Sequence, residues 1–186
     1  MKKIILASNS PRRKELLAKS GIEFAVHPSG YDEHIDNNNF SYAKIENIAY
    51  NKAIYVSDEL KEDAVIIGAD TVVVYNNKIL TKPKDYDDAF NMLKTLSNVE
   101  HIVVTGLCVI DKYTNETKVN SVTTRVHFKE LSDKMINDYI TEYKPFDKAG
   151  GYGIQELPPE FIKYVDGSLE NVIGLCTDTI KSMLTF

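Results

Sequence analysis

The sequence predicts an α/β fold built on a mixed sheet. Apolar, strand-like runs alternate with amphipathic helical segments along the 186 residues, which is typical of α/β chains. Some neighbouring strand-like runs are joined by a tight turn and others by a helix. A tight turn gives an antiparallel pair and a helical crossover gives a parallel pair, so we expect both kinds of pairing in one sheet.

The first elements are a short strand and a helix joined by a polar loop. Residues 3–7 form an apolar run. Ser10 then offers an N-cap hydroxyl in front of Pro11, which suits the first position of a helix, and Gly21 ends that helix. A second strand is expected at 23–27.

A long helix and the most strand-like segment of the chain come next. The helix is predicted at 41–61 with Lys52 inside it, and its apolar positions indicate the buried side: Ile45, Ile48, Ala49, Ala53 and Val56. The β-branched run within 64–80 predicts a strand that turns at Asn76 and Asn77 into a short return strand.

The second half of the chain continues the alternation of helices and strands. Asp85 is the expected N-cap of the next helix. The predicted elements are a helix at 85–97, a hairpin of strands 101–111 and 117–128, a helix at 132–143, a glycine-rich loop at 147–155 and a helix near 177–184.

Length and composition limit the class of protein. A chain of this size is expected to form one domain and to bury roughly 70% of its unfolded surface. Its opening apolar run is shorter than the about 7 apolar residues that a secretory signal needs, and nothing approaches a membrane span of about 20 residues. Cys108 and Cys176 show no metal or redox spacing. We therefore expect a cytoplasmic protein that does not interact with membranes.

Positive charge is concentrated at the start of a chain that is acidic overall. The first twenty residues contain six Lys or Arg and one acidic residue, whereas the whole chain has a net charge of -5. This favours a small anionic ligand over nucleic acid, which needs a broad basic face. Arg12 and Arg13 at a helix start suggest phosphate, because helix N-termini and guanidinium groups both bind phosphate oxygens. A solvated first turn remains the alternative from these residues alone.

Asp70 is the second unusual position. It lies between Ile67 and Val72 in the most apolar run of the chain, and an ionised carboxylate is costly to bury without a partner. A metal ion, or a water molecule that Asp70 activates, would supply that partner. The alternative is that Asp70 forms a salt bridge or caps a neighbouring loop. Thr71, next to it, could be an ordinary strand residue on the opposite face.

Three further charged side chains are candidate site residues, although lysine and glutamate side chains are usually solvated. Lys52 and Lys82 are of this kind, although Lys82 follows the strand pair that contains Asp70 and is expected near the same cleft. Glu33, in a polar loop, is a candidate second metal carboxylate, with a solvated loop residue as the alternative.

The glycine-rich segment 147–155 differs in kind. Its glycines allow the backbone to approach a ligand closely, and Gln155 supplies both the donor and the acceptor that base recognition requires. A plain glycine-rich turn is the alternative. The chain has no Walker loop, no G-x-S-x-G and no G-x-G-x-x-G sequence, and its four histidines show no zinc spacing.

Five segments taken together resemble one family. They are "ASNSPRRKELL", "IIGADTVV", "LTKPKD", "DKAGGYGIQ" and "GSLENVIGL". In this order, over almost the whole chain, they resemble the Maf family of nucleoside triphosphate pyrophosphatases. The resemblance implies an α/β fold with an elongated mixed sheet flanked by helices and a cleft between two lobes, similar to the inosine triphosphate pyrophosphatases, with residues 1–186 as a single domain.

The activity that the resemblance implies is hydrolysis of a nucleoside triphosphate to the monophosphate and pyrophosphate. A divalent metal, Mg²⁺ or Mn²⁺, is the implied cofactor, and a homodimer is the implied assembly. The triphosphate would be held by Ser8, Arg12, Arg13, Lys52 and Lys82. The metal would be held by Glu33 and Asp70, and Asp70 would also be the base for the attacking water.

Substrate choice is associated in the family with positions that match Arg13, Thr71 and Gln155. The glycine-rich segment resembles the branch that acts on dTTP and UTP, and a house-cleaning role on modified pyrimidine triphosphates would use the same residues. A pyrophosphatase for another nucleotide, such as 7-methyl-GTP, is one alternative. A non-catalytic nucleotide-binding regulator of cell division is another, because the family is also linked to arrest of septum formation. The presence of both Glu33 and Asp70 favours the enzyme.

Overall fold

The structure is a computed structural model that describes residues 2–185. Its strands are β1 (Ile4–Leu6), β2 (Ala25–Val26), β3 (Val65–Tyr75), β4 (Lys78–Leu80), β5 (Glu100–Asp111), β6 (Glu116–Phe128) and β7 (Ile162–Asp166). Its helices are α1 (Pro11–Lys19), α2 (Tyr42–Glu59), α3 (Tyr86–Leu96), α4 (Asp133–Tyr143), α5 (Leu169–Ile173) and α6 (Thr177–Met183).

The seven strands form one mixed sheet in the order β2-β1-β3-β5-β6-β7, with β4 paired to β3. β1 is parallel to β2 and to β3, and α2 lies in the crossover between β1 and β3. The other pairs are antiparallel. The α/β class with a mixed sheet, predicted from the sequence, is confirmed.

Most predicted elements are present within a few residues of their expected bounds. Ser10 and Asp85 cap α1 and α3 through their side chains, as predicted. Asn76 and Asn77 have φ of 48° and 62°, as the predicted tight turn requires. β2 is shorter than the expected strand at 23–27. β7 and α5 were not predicted.

The two faces of β3 pack against different helices because its side chains alternate. Ile66 packs with Ala49 and Ala53 of α2, whereas Ile67 packs with Leu17 of α1. A separate cluster joins α3 and α4 to the far part of the sheet and contains Phe128. No helix between residues 2 and 185 is long and apolar enough to cross a membrane.

One edge of β3 has a gap. β5 pairs with residues 65–74 along the other edge, so β1 and β4 share this one, where they pair with 65–67 and 73–75. Residues 68–72 have no strand opposite them here among the residues that the structure describes. Asp70 and Thr71 lie in this gap. The outer edge of β6 is also partly open, because β7 pairs only with residues 125–128.

Glycines let α2 lie directly on the sheet. A Cβ on Gly68 would lie 2.2 Å from the carbonyl oxygen of Ala49, and a Cβ on Gly106 would lie 2.5 Å from that of Ile45. Gly106 pairs with Asp70 across β3 and β5. The close approach brings the α2 side chains within reach of Asp70.

We expect Gly68→Ala to lower the free energy of unfolding by about 1–3 kcal/mol, because the added methyl group overlaps the α2 backbone and the core must shift. Urea unfolding followed by circular dichroism measures this change. The exposed position Thr123 on β6 supplies the control, and Thr123→Ala should change the same quantity by less than about 0.5 kcal/mol. A Gly68→Ala protein as stable as the parent would contradict the close packing of α2.

Candidate active site

A cleft of about 460 Å³ opens at the gap in the β3 edge. One group of lining side chains is cationic: Arg12, Arg13, Lys52, Lys82 and Lys148. Three are acidic: Glu33, Asp70 and Asp147. A third group is apolar: Val73, Val103, Tyr152, Ile154, Val172 and Ile173. The cleft lining therefore combines charged side chains, with an excess of cations, and apolar side chains.

The structure brings eight of the nine predicted site residues to this cleft. The exception is Ser8, which is 8% exposed. Its hydroxyl accepts hydrogen bonds from the backbone N–H of Ser10 and from Arg13 Nη1, at 3.2 Å and 3.3 Å. Ser8 therefore contacts Arg13 from behind the cleft wall.

Lys52 bridges the two predicted metal carboxylates. Its Nζ lies 2.5 Å from Glu33 Oε1 and 2.7 Å from Asp70 Oδ1. Lys52 comes from α2, Asp70 from the gap in β3, and Glu33 from the loop before α2. That loop is tied to α2 by a 3.1 Å hydrogen bond from Asn51 Nδ2 to the Tyr31 hydroxyl.

Asp70 is buried and only half satisfied. It is 6% exposed, and its Oδ2 has no hydrogen-bond partner among the described residues. Burial raises the pKa of Asp70 above its ordinary value, and the positive charge of Lys52 opposes that rise. A buried carboxylate oxygen without a donor is suited to accept a proton or to coordinate a cation.

The oxygen donors at this point fit a divalent cation that the substrate helps to bind. Among residues 2–185 there is no group of three or more His, Cys, Asp or Glu side chains that could hold a metal alone. Mg²⁺ usually binds one or two carboxylates and completes its shell with water and substrate phosphates. Glu33 and Asp70, with the free Oδ2 of Asp70, match that pattern.

Arg13 is more enclosed than the sequence suggested. It donates from Nε to the carbonyl oxygen of Gly174 at 2.8 Å and from Nη2 to the Thr71 hydroxyl at 3.1 Å, besides its bond to Ser8. Burial lowers the pKa of Arg13, although the charges of Asp70 and Glu33 oppose this. A guanidinium has five N–H donors, so two of them are not used by these three bonds.

A line of hydrogen bonds extends from Thr71 into the core. Its hydroxyl lies 2.9 Å from that of Thr105, which donates to the Asn171 carbonyl oxygen at 3.1 Å. The Asn171 side chain donates to the carbonyl oxygen of Val103 and to the Thr124 hydroxyl, both at 3.0 Å. These bonds hold α5, which the sequence did not predict, against the cleft.

Arg12 crosses the mouth of the cleft. Its Nη1 donates to Asp147 Oδ2 at 2.8 Å. Lys148 Nζ lies 2.8 Å from Asp147 Oδ1 and 3.2 Å from Glu156 Oε2. Although partial burial favours the neutral acid, hydrogen bonds from Arg12 and Lys148 lower the pKa of Asp147 to about 2. The cations at the mouth are thus held by carboxylates that an incoming anion can replace.

The last two predicted residues face the cleft without such ties. Lys82 is exposed and forms no ion pair within the described part of the chain. Gln155 is exposed on the glycine-rich loop and follows Ile154, which belongs to the apolar lining of the cleft. Both side chains are therefore available to a ligand.

Sequence reasoning missed Asp147, Lys148 and Tyr152 as members of the cleft wall. All three lie inside the glycine-rich segment whose glycines and glutamine drew attention. A lysine directly before an Ala-Gly-Gly turn was the available signal, because a cation there is carried to the same place as the glycine backbone.

Comparison with known proteins agrees with these features. The family model described as Maf-like protein matches residues 3–185. A dTTP/UTP pyrophosphatase of Alkaliphilus oremlandii is 47% identical over 175 residues, which are 94% of this chain and 91% of that protein. A dTTP/UTP pyrophosphatase of Thermosipho africanus is 47% identical over 182 residues, which are 98% of this chain and 92% of that protein.

Among solved structures, the nucleoside-triphosphatase or dITP/XTP pyrophosphatase of Mycobacterium abscessus aligns with a TM-score of 0.49 and 14% identity over 97% of this chain and 92% of that one. We draw no conclusion from a similarity of that size. The family model and the sequence relatives, in contrast, span nearly the whole chain at high identity. On that ground, this chain belongs to the Maf-like protein family.

Proposed function

We propose that this chain hydrolyses nucleoside triphosphates, with dTTP and UTP as substrates, to the monophosphate and pyrophosphate. The observation that carries the proposal is that two kinds of group line one cleft: five cationic side chains, and an apolar set with Gln155. A nucleoside triphosphate has two corresponding parts, a polyanion and a base. The substrates are taken from the sequence relatives, which are named dTTP/UTP pyrophosphatases.

The proposed reaction is attack of water on the α-phosphorus. A new bond forms between the water oxygen and phosphorus, the bond from phosphorus to the oxygen that leads to the β-phosphate breaks, and pyrophosphate leaves. Asp70 accepts the proton of the water, for which its free Oδ2 and raised pKa suit it. Positioning and charge stabilisation supply most of the catalysis in such reactions, so the cations matter as much as the base.

We assign the triphosphate to Arg12, Lys52 and Lys82 as direct ligands, with the two unused N–H groups of Arg13 beside them. Ser8 acts by holding Arg13. Substrate choice is assigned to Arg13, Thr71 and Gln155. Arg12 and Lys52 would exchange their carboxylate partners for phosphate oxygens when the substrate binds.

Glu33 and Asp70 would hold Mg²⁺ or Mn²⁺, together with oxygens of the substrate. When bound, the cation neutralises charge on the phosphates and on the departing pyrophosphate. Lys52 lies between the same carboxylates, so it can leave Glu33 as the cation arrives. The protein supplies the oxygen ligands, and the positive charge of Lys52 offsets the repulsion between the two carboxylates until then.

We also propose that residues 1–186 form one domain with a single cleft between two lobes, and the single continuous sheet supports the one domain. A cytoplasmic location, a homodimer and a lack of contact with nucleic acid or membranes stay predictions. Two buried free cysteines, Cys108 and Cys176, are compatible with a reducing compartment.

The alternative of a non-catalytic regulator is weakened by the half-satisfied Asp70, which binding of an anion alone does not need. The alternative substrate 7-methyl-GTP is not favoured, because the relatives carry the name dTTP/UTP pyrophosphatase.

A nucleotide panel tests the proposal directly. Purified protein with Mg²⁺ or Mn²⁺ should release pyrophosphate and monophosphate from dTTP and UTP faster than from the other triphosphates, including 7-methyl-GTP. Modified pyrimidine triphosphates such as 5-methyl-UTP belong in the same panel. Turnover of none of them by a folded, metal-loaded protein would reject the enzyme in favour of the regulator.

Asp70→Asn should reduce kcat by at least about 100-fold, because the amide cannot accept the proton of the water. Steady-state kinetics measures the loss, and circular dichroism checks the fold. The control is Asp111→Asn, which removes another buried carboxylate, paired with Lys2 at the end of β5. Asp111→Asn should cost stability and leave kcat unchanged. Equal kcat for Asp70→Asn and the parent would remove Asp70 from the mechanism.

Replacing each of the two arginines by alanine should have a different effect on the melting temperature. Arg12→Ala should raise KM and lower kcat with little effect on the melting temperature, because the Arg12 side chain is partly exposed and has one partner here. Arg13→Ala should raise KM, lower kcat and also lower the melting temperature, because it breaks three internal hydrogen bonds. A change in melting temperature alone for Arg13→Ala would disprove its role in phosphate binding.

A further inference from the structure

A buried histidine and a buried tyrosine form a hydrogen bond behind the cleft wall. His101 Nε2 lies 2.7 Å from the Tyr152 hydroxyl oxygen. The two residues are only 2% and 5% exposed, and both rings pack edge-on against Phe128, with centroids 5.0 Å and 4.9 Å away. Polar groups buried among aromatic rings are costly unless they are hydrogen-bonded, so each of these side chains needs the other.

His101 does not line the cleft, whereas Tyr152 does. Burial, assisted by the nearby His127, lowers the pKa of His101 to about 3, so the imidazole is neutral near pH 7. It carries no charge that a bound anion would feel. Its hydrogen bond to Tyr152 is its polar link to the cleft wall.

Tyr152 belongs to the loop that carries Gln155, and the sequence of that loop constrains its backbone weakly. Gly150 and Gly151 have φ of 69° and 74°, a region that glycine enters without strain but from which it also leaves easily. The Gln155 side chain forms no hydrogen bond between residues 2 and 185 that would fix it independently. Its position depends on what holds the loop.

Besides the ion pair of Asp147 with Arg12 at its start, and the packing of Tyr152 and Ile154 in an apolar cluster, three hydrogen bonds from residues 150–153 hold this loop against other elements. The N–H of Gly150 donates to the carbonyl oxygen of Thr81 at 3.1 Å. The N–H of Gly153 donates to the Tyr139 hydroxyl at 3.0 Å. The third is the bond between Tyr152 and His101, which joins residues 150–153 to the central strand β5, where Val103 also packs in the same apolar cluster as Tyr152.

We propose that His101 is a positioning residue for nucleobase selection: through its hydrogen bond to Tyr152, it fixes residues 152–155, which present Gln155 to the base. The inference rests on the proposed function, because it takes Gln155 to contact the base of a bound nucleotide. It predicts that the bond affects recognition of the base and leaves recognition of the phosphates intact.

The decisive experiment compares two ligands by calorimetry in Mg²⁺ buffer: α,β-imido-UTP, which cannot be hydrolysed between those phosphates, and inorganic tripolyphosphate, which has no base. Tyr152→Phe removes the hydroxyl and keeps the ring. It should weaken binding of the UTP analogue about 3- to 10-fold, the range for one buried hydrogen bond. Tripolyphosphate should bind within about twofold of the parent value.

His101→Leu should reproduce this pattern, and His101→Gln should restore binding of the UTP analogue, because the glutamine amide reaches close to the position of the imidazole Nε2. The double variant His101→Leu/Tyr152→Phe should be no weaker than either single variant, since both remove the same bond. In turnover assays with UTP, the single variants should raise KM and change kcat by less than about twofold.

The control is a second, more exposed histidine–tyrosine pair in the same sheet, in which the Tyr164 hydroxyl also donates to Glu100 Oε2. His127 Nδ1 lies 3.3 Å from the Tyr164 hydroxyl, and neither residue lines the cleft. Tyr164→Phe removes the hydroxyl of that pair. It should leave the ratio of the two affinities unchanged.

The outcomes separate the inference from the proposed function. Equal weakening of both ligands by Tyr152→Phe, or no weakening of either, overturns the positioning role. A parent protein that binds the UTP analogue no better than tripolyphosphate overturns it as well. A parent protein that hydrolyses no nucleotide rejects the proposed function, and the two-ligand comparison still decides the role of His101.

Discussion

The buried charge of Asp70 is the constraint on which the cleft depends. A carboxylate in the middle of a central strand needs a cationic partner, and Lys52 can supply one only if α2 lies directly on the sheet. Gly68 and Gly106 permit that approach. The gap between β1 and β4 then leaves Asp70 open to a ligand on the side that a further strand would have covered. Packing, strand pairing and site chemistry thus meet at one residue.

In this structure some cations of the cleft are held in internal ion pairs. Lys52 is held by Glu33 and Asp70, and Arg12 by Asp147. Partial desolvation makes such charges expensive to leave alone, so carboxylates stand where ligand oxygens would otherwise be needed. Binding of a polyanion is then an exchange of partners. The side chains are already arranged, and the cost of gathering like charges in one place has been met during folding.

The sequence predicts elements whose signals are local. Alternating β-branched residues mark β3, and Ser10 with Pro11 marks the start of α1. It did not predict β7 and α5, because each has only five residues and their stability comes from contacts with β6 and from the buried Asn171.

For the site, the sequence motifs identified most of the predicted residues that line the cleft. They did not show which hydrogen-bond partners those side chains have in the folded protein. Nothing in the sequence indicates that the Arg13 guanidinium donates hydrogen bonds to Ser8, Thr71 and Gly174. The sequence did contain a signal for His101. Like Asp70, it is a polar residue next to a strongly apolar strand sequence, which indicates a buried side chain that needs a partner. Its partner is 51 residues away, and only the folded chain brings them together.

The open edge of β6 has a consequence for the behaviour of many molecules together. Residues 116–122 offer backbone groups along a side with no strand opposite within the described chain, and such edges allow separate molecules to join their sheets and aggregate. Glu116 and Lys118 place charge at the start of this edge, whereas Val119 exposes 44% of its surface. Resistance to edge-to-edge association therefore depends on a few polar side chains far from the cleft, and substitutions there would affect solubility before they affected chemistry.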